Sequence, residues 1–164
     1  MNIALVGLPG SGKSTAAKHL SKRLGLSLFD CDHEIELQTE CSIRDYFERH
    51  GEANFRAVES AMLEKLTALA GVLSTGGGAV LLDINRSILR QRCLVIYLHS
   101  TPNEVFKRIR HDRLRPLLQV DDPLDRLEKL YIDRDPLYRQ TASVVIESGK
   151  SSLSALLKVI VSHL

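Results

Sequence analysis

Short runs of apolar residues alternate along the chain with longer segments of helical pattern. The apolar runs predict five β-strands, at residues 2–6, 26–29, 72–74, 94–98 and 144–147. The segments between them predict helices at residues 13–24, 43–50, 53–69, 85–91, 102–110 and 122–135, and a last helix that begins at Ser151 or Ser152. Because the strands are apolar on both sides and helices separate them, we expect an α/β fold whose parallel sheet is covered on both faces.

Size and charge narrow the classes of protein that fit this chain. It has 164 residues, about the size of one domain, and we expect residues 1–164 to form a single domain. Apolar residues make up 44% and charged residues 26%, and the formal net charge is +2. A nucleic-acid-binding surface would need a much larger excess of basic residues, so we expect no nucleic-acid partner.

The three cysteines, Cys31, Cys41 and Cys93, fit neither a metal site nor a disulfide framework. We expect free thiols, which are usual in a reducing compartment. The N-terminus lacks the features of a signal peptide, and no run approaches the ~18 apolar residues that a membrane span needs. The sequence therefore predicts a soluble, cytoplasmic protein without a membrane partner.

The clearest motif lies directly after the first predicted strand. Residues 7–15 read GLPGSGKST and match the phosphate-binding pattern G-x-x-x-x-G-K-[ST]. The glycines bring backbone N–H groups onto phosphate oxygens, and the following helix presents its N-terminal N–H groups to the same anion. Lys13 would reach the β- and γ-phosphates, and the Ser14 hydroxyl would bind Mg²⁺. The motif predicts ATP contacts from Gly10, Ser11, Gly12, Lys13, Ser14 and Thr15.

Two carboxylates, Asp30 and Asp32, follow the second predicted strand. Ligands bind at the carboxyl edge of an open α/β sheet, and residues i and i+2 of an extended segment point the same way. We therefore expect both carboxylates to face the phosphate loop, where one holds Mg²⁺ through water and the other accepts the proton of an attacking hydroxyl. The alternative is that Asp32 is only the N-cap of a helix.

Two further segments carry groups that suit an acceptor site. Arg56 and Glu59 are i,i+3 neighbours on a predicted helix, so Glu59 can hold the guanidinium, although a surface ion pair has the same spacing. Gly76, Gly77 and Gly78 follow the third strand and let backbone N–H groups approach a ligand, although a plain loop has the same composition.

Residues 111–123 form a charged segment of more than ten residues that contains two prolines. Loops of that length in a compact domain are usually functional or disordered, so we expect a lid whose Arg115 closes over ATP. Arg134 ends the next predicted helix, where it can bind an anion or cap the helix C-terminus.

Taken together, these segments resemble the shikimate kinases, a branch of the nucleoside-monophosphate-kinase-like P-loop fold. The resemblance covers nearly the whole chain and rests on six motifs in order: GLPGSGKST, DCD followed by HEIE, GEANFR with Glu59, TGGGA, RPLL and R-x-P-L-Y. It implies a sheet order of 2-3-1-4-5, an acceptor-binding region at about residues 33–61 and a lid at residues 111–123. It also implies a monomer that phosphorylates the 3-hydroxyl of shikimate with ATP, with Mg²⁺ as cofactor.

The resemblance gives each candidate residue a role. Asp30 would hold Mg²⁺ through water, beside the Ser14 hydroxyl. The catalytic residues would be Asp32 as general base, Lys13, and Arg115 as the lid arginine on ATP. In the shikimate site, Arg56 and Arg134 would bind the carboxylate, and Asp32 would bind the reacting hydroxyl. The backbone N–H groups of Gly76, Gly77 and Gly78 would bind a hydroxyl.

Three other functions fit the sequence less well. A kinase of similar fold could use gluconate or a nucleoside monophosphate, but the R-x-P-L-Y arginine and the three glycines argue against it. A catalytically silent nucleotide-binding protein would not need Lys13, Ser14, Asp30, Asp32 and Arg115 together. A nucleic-acid-stimulated ATPase would need a basic stacking surface, and the near-neutral charge and absence of Trp argue against one.

Overall fold

Five strands form one parallel sheet in this structure, a computed structural model that describes residues 1–111 and 116–164. The strands are β1 (Asn2–Val6), β2 (Leu28–Asp30), β3 (Gly71–Ser74), β4 (Leu94–His99) and β5 (Val144–Glu147). Their order is β2-β3-β1-β4-β5, and all neighbouring pairs are parallel. The predicted α/β class and sheet order are confirmed. Because β1 is central, the loop that follows it emerges in the middle of the carboxyl edge.

Helices cover both faces of the sheet. Those of the described residues are α1 (Lys13–Leu24), α2 (Cys31–Thr39), α3 (Ile43–Thr67), α4 (Asp83–Arg92), α5 (Pro102–Ile109), α6 (Pro123–Thr141) and α7 (Leu153–Ser162), with a 3₁₀ turn at Pro116–Gln119. None of these described helices is long and apolar enough to cross a membrane.

The alternation of side chains along β1 divides the core in two. Ile3 and Leu5 pack against α1 and α7, whereas Ala4 and Val6 pack on the opposite face against α3, α4 and α6. All four side chains are fully buried. A strand buried on both faces has no polar side, which is why a short continuous apolar run was its only signal.

The α3 helix joins two segments that the sequence predicted as separate helices. Its first turn is capped by the Ser42 hydroxyl, which accepts from the Asp45 N–H at 3.1 Å. At Gly51 the backbone leaves the helical region, with φ 80° and ψ 170°, values that favour glycine. The break separates an arm that carries Phe47 from a longer arm that carries Arg56.

Two helices depart from the predictions. The α2 helix was expected only under the N-cap alternative for Asp32, and it begins at Cys31, so the N-cap is Asp30. The α6 helix was predicted to stop at Asp135 but continues through Pro136 to Thr141. Proline removes the N–H that would bond the Ile132 carbonyl, and Ile132 is 72% exposed, so water can bond that carbonyl instead.

Candidate active site

The phosphate loop after β1 forms a cradle at the start of α1. Gly10 and Gly12 have φ of 80° and 94°, and the α1 N-cap, Gly12, provides no side-chain cap. No acidic residue lies in the first turn, so the helix N-terminus is left for an external anion. The buried Lys13 ammonium donates to the carbonyls of Gly7 and Leu8 at 2.7 and 2.8 Å. A cavity of about 110 Å³ is bordered by Gly10, Gly12, Lys13, Ser14 and Thr15.

The end of β2 places a carboxylate beside the loop. The Ser14 hydroxyl donates to the Asp30 carboxylate at 2.9 Å and lies 3.4 Å from the Ser74 hydroxyl at the end of β3. Asp30 also caps α2 by accepting from the His33 N–H at 3.2 Å. Hydroxyl and carboxylate oxygens are ligands that suit Mg²⁺, which keeps several waters in protein sites. The predicted metal-side pair is therefore brought together, and its oxygens fit that ion.

Asp32 lies in the first turn of α2 and not in an extended segment, so the predicted i,i+2 geometry is wrong. The two carboxylates still both lie near the phosphate loop, but they have different neighbours. Asp32 borders a second cavity with Pro9, while Asp30 contacts Ser14. Burial raises the pKa of Asp32 most, the Asp30 charge raises it further, and Lys13 lowers it.

Arg56 and Glu59 form a buried ion pair on the second arm of α3. Their side chains are 12% and 1% exposed, and Arg56 Nη1 donates to Glu59 Oε1 at 2.9 Å. The surface ion pair weighed as an alternative is thus excluded by burial. Phe55 and Phe47 lie 5.2 and 5.8 Å below the guanidinium, measured from their ring centroids. Burial raises the pKa of Glu59, and the guanidinium acts in the opposite direction.

The three glycines after β3 each lie against a charged or rigid group of this site. A Cβ on Gly76 would lie 2.8 Å from Asp32 Oδ1, and one on Gly77 would lie 2.8 Å from Pro9 Cδ. A Cβ on Gly78 would overlap the Arg56 guanidinium. Among the described residues, their N–H groups have no hydrogen-bond acceptor. The segment is therefore more than a plain loop, because its backbone forms part of a cavity wall.

Arg134 reaches the same cavity from α6. The helix continues for seven residues beyond it, to Thr141, so the alternative that Arg134 caps the helix C-terminus is wrong. The cavity, of about 150 Å³, is lined by Pro9, Asp32, Ile43, Phe47, Phe55, Arg56, Glu59, Gly76, Gly77, Gly78 and Arg134. Two guanidinium groups, two carboxylates and free backbone N–H groups thus surround one space beside the phosphate loop.

Comparison with known proteins identifies the family. A family model described as shikimate kinase matches residues 9–164. The chain belongs to the shikimate kinase family. It is accordingly a phosphotransferase that uses ATP and shikimate.

Relatives of known sequence and structure agree with this family over the full chain. The shikimate kinase of Paracidovorax citrulli is 50% identical, across all of this chain and 92% of the relative. The solved shikimate kinase of Acinetobacter baumannii, in complex with shikimate, is 42% identical with a TM-score of 0.93, over 99% of this chain and 91% of that one. The Aquifex aeolicus enzyme is 32% identical with a TM-score of 0.84, over 99% of this chain and 95% of that one.

A third cavity of this shikimate kinase includes Ser148, within residues 147–150, where adenine contacts were expected but no motif identified them. It measures about 210 Å³ and shares Gly12 and Thr15 with the phosphate cradle. The Arg108 guanidinium spans it, donating to the carbonyls of Gly10 and Ser148 at 3.3 and 3.0 Å. No sequence motif surrounds Arg108 or Ser148. The sequence indicated only that Arg108 comes after strand β4 and Ser148 after strand β5 along the chain.

Arg115, the predicted lid arginine, lies outside the described residues. Phe47 and Phe55, which pack under Arg56, were not singled out, because aromatic residues at helical spacing are more often core than ligand-facing.

Proposed function

We propose that this shikimate kinase transfers the γ-phosphate of ATP in line to the 3-hydroxyl of shikimate, with Asp32 as general base. The observation that supports this most directly is that the second cavity lies beside the phosphate loop. Asp32, Arg56 and Arg134 surround a space that Pro9 of the phosphate loop also borders. An acceptor in that space would have two cations for its carboxylate and a base for its hydroxyl beside the phosphate loop.

The protein would bind the acceptor's carboxylate with positively charged side chains and its hydroxyls with backbone N–H groups. Arg56 and Arg134 can each offer directional hydrogen bonds to a carboxylate. Glu59 fixes the Arg56 guanidinium, so little side-chain freedom is lost on binding. The free N–H groups of Gly76–Gly78 can bind a ring hydroxyl.

Asp32 would take the proton of the attacking hydroxyl. Burial and the Asp30 charge raise its pKa, which makes the carboxylate a stronger base than an exposed aspartate, while the Lys13 and Arg56 charges act in the opposite direction. Lys13 would stabilise the charge of the transferring phosphoryl group, and most of the rate enhancement would come from positioning and electrostatics. Arg115 is assigned the lid role through the resemblance alone.

Ser14 and Asp30 would hold Mg²⁺, with Asp30 acting through water. Bound there, Mg²⁺ would neutralise charge on the β- and γ-phosphate oxygens. The Arg108 cavity offers a planar cation and apolar side chains, Leu153 and Leu156, for the base of ATP.

The acceptor-binding region is proposed at residues 33–61 and the lid at residues 111–123, of which 112–115 lie outside the described residues. The two segments touch where Arg44 of α3 donates to the Gln119 side chain at 3.0 Å. We also propose a monomer, the default for a chain of this size and family, and a cytoplasmic location, which the three free thiols support.

The deciding experiment is ADP release by the purified protein with Mg²⁺-ATP. We expect release that depends strictly on shikimate. Gluconate and a nucleoside monophosphate serve as matched acceptors that lack either the ring or the carboxylate arrangement. Turnover with one of these, or none with shikimate, would refute the acceptor assignment while leaving the phosphate loop intact.

A further inference from the structure

Two side-chain hydrogen bonds join strand β4 to helix α6. The Tyr97 hydroxyl donates to Asp135 Oδ1 at 2.8 Å, and His99 Nε2 lies 2.7 Å from the Tyr131 hydroxyl. Two strand residues span about 6.6 Å and four helix residues about 6.0 Å. Because the bonded residues are two apart on β4 and four apart on α6, the spacings match and both bonds form side by side.

The β4 side chains of these bonds are themselves held in place. Tyr97 is fully buried and packs against Tyr138 with ring centroids 4.9 Å apart. Burial raises the pKa of Tyr97, and the bond to Asp135 raises it further, so the phenol remains a donor at neutral pH. The largely buried His99 has its other ring nitrogen, Nδ1, 2.7 Å from Glu147 Oε2 on β5. The sheet therefore offers α6 two fixed points of attachment.

The backbone of α6 is weakest at the turn that carries Arg134. Pro136 lacks the N–H that would continue the helical hydrogen bonds, and a residue that precedes proline disfavours the helical conformation. That residue is Asp135, which Tyr97 bonds. Arg139 also bonds Asp135, at 3.1 Å, but it lies on α6 itself and does not join the helix to the sheet. The attachment to β4 thus acts where the helix needs it most.

Arg134 lies between the two bonded residues of α6 and lines the acceptor cavity. The other arginine of the cavity, Arg56, is fixed by Glu59 at 2.9 Å. The ion pairs of the described residues include none that fixes Arg134 in the same way. The place of its guanidinium in the cavity therefore depends on the position of the helix.

We propose that the two hydrogen bonds between β4 and α6 position Arg134 for the carboxylate of the acceptor. The inference rests on the proposed acceptor site. Tyr97 and Tyr131 are then positioning residues, since neither lines the cavity and each acts through the helix. A small displacement of a group that binds the substrate is enough to cost much of its contribution.

The test uses Tyr97→Phe and Tyr131→Phe, each of which deletes one hydroxyl and keeps the ring. KM and kcat are measured for shikimate and for ATP at a temperature well below the Tm of every variant. We expect KM for shikimate to rise about tenfold in either variant, as for the loss of one hydrogen bond, with kcat and KM for ATP nearly unchanged. A purely structural role would lower Tm and leave KM for shikimate as it was.

Thr141→Val is the matched control. It deletes a buried hydroxyl on the same helix, whose partner is the Leu137 carbonyl at 2.7 Å on α6 itself, so KM for shikimate should not change. An unchanged KM in either tyrosine variant would overturn the proposal. An equal rise in Thr141→Val would overturn it as well, because any loss of a buried bond in α6 would then have the same effect.

Variants of Asp135 test one of the bonds from the helix side. Asp135→Ala removes the acceptor and should raise KM for shikimate as much as Tyr97→Phe does. Asp135→Asn keeps an oxygen that can accept from the Tyr97 hydroxyl, so its KM should stay close to that of the parent. Equal rises in both Asp135 variants would mean that the charge matters and the bond does not, which contradicts the proposal.

A double-mutant cycle with Arg134→Ala shows whether the hydroxyl acts through this arginine. If it does, Tyr97→Phe should have no further effect on KM for shikimate once Arg134 is absent. A rise of the same factor in both backgrounds would overturn the proposal. Failure of the acceptor site itself would be seen separately, as an Arg134→Ala variant with an unchanged KM for shikimate.

Discussion

For Asp32, the proposed role as general base and the stability of the fold have opposite requirements. Burial and the neighbouring Asp30 charge oppose its ionisation, and Lys13 and Arg56 only partly compensate. A catalytic base with a raised pKa is better matched to neutral pH than an exposed aspartate. The same environment makes the charged side chain costly to bury.

Replacing Asp32 with Asn should abolish most of the turnover. Asparagine has nearly the same size but cannot accept the proton, so kcat is expected to fall by about 10²–10⁴ while the affinity for ATP stays close to that of the parent. Glu34→Gln, in the same first turn of α2 but outside the cavity lining, is the matched control. Near-normal kcat in Asp32→Asn would show that the base is another group.

The same substitution should stabilise the folded protein near neutral pH. Because the folded pKa of Asp32 lies above its ordinary value of 3.8, its stabilising contribution is present below that value and is lost as the pH rises through the folded pKa. Asp32→Asn stays neutral, so its Tm should exceed that of the parent at about pH 7, and the gain should shrink toward about pH 4. Equal gains at both values, or a lower Tm at neutral pH, would contradict this account.

At the scale of elements, the break in α3 would position the proposed acceptor site. Gly51, with a φ of 80°, sets the angle between the arm with Phe47 and the arm with Arg56. No atom lies within 4 Å of the position that a Cβ on Gly51 would take. Strain, and not a clash, is therefore what a substitution there would introduce.

Gly51→Ala should lower the free energy of unfolding by roughly 1–3 kcal/mol and raise KM for shikimate, because relief of the strain shifts Phe47 against Arg56. Gly25→Ala is the control, since Gly25 also has a positive φ, 65°, with free space around it but caps the remote end of α1. Denaturant unfolding and steady-state kinetics measure the two effects. A raised KM in both variants, or in neither, would show that the break at Gly51 has no specific effect on the acceptor site.

The sequence predicted the strands well because each contains a short apolar run, although β2 spans Leu28–Asp30 and not residues 26–29. It did not predict α2 as an element because only Cys31 and Ile35 of that helix are buried, which leaves no apolar stripe to recognise. The end of α6 was misplaced because Pro136 usually terminates a helix, and tertiary packing of Tyr138 outweighs that preference here.

Candidate site residues were predictable where several chemical groups lie within one motif. The phosphate loop and the Arg56–Glu59 pair belong to this class, since their partners are close in sequence. Arg108 and Ser148 were not predictable, because they are 40 residues apart and meet only when β4 and β5 pair in the sheet.

At the scale of the molecule, the nucleotide and acceptor cavities are distinct spaces whose linings have no residue in common. Ligands that bind only the folded state raise its stability, by about 2.7 kcal/mol at a concentration of 100 times Kd. Each substrate should therefore stabilise the protein on its own.

The variant Arg134→Ala should distinguish stabilisation by shikimate from stabilisation by the nucleotide. We expect the rise in Tm caused by shikimate to be lost, because the variant removes one of the two cations proposed to bind the shikimate carboxylate, and the rise caused by ADP to remain. Arg139→Ala, which removes an arginine from the same helix that pairs with Asp135 at 3.1 Å, should keep both. Loss of the ADP effect in Arg134→Ala would mean that the cavities are coupled through α6.

The charge balance of the acceptor cavity bears on product release. Its two guanidinium groups are offset by Asp32 and Glu59, and Arg56 is already paired with Glu59. Transfer would add a doubly charged phosphate ester close to Asp32, which becomes negative again once its proton passes to solvent. Like charges at short range repel, most strongly where water is excluded. The proposed base would thus weaken the binding of the phosphorylated product and favour its release.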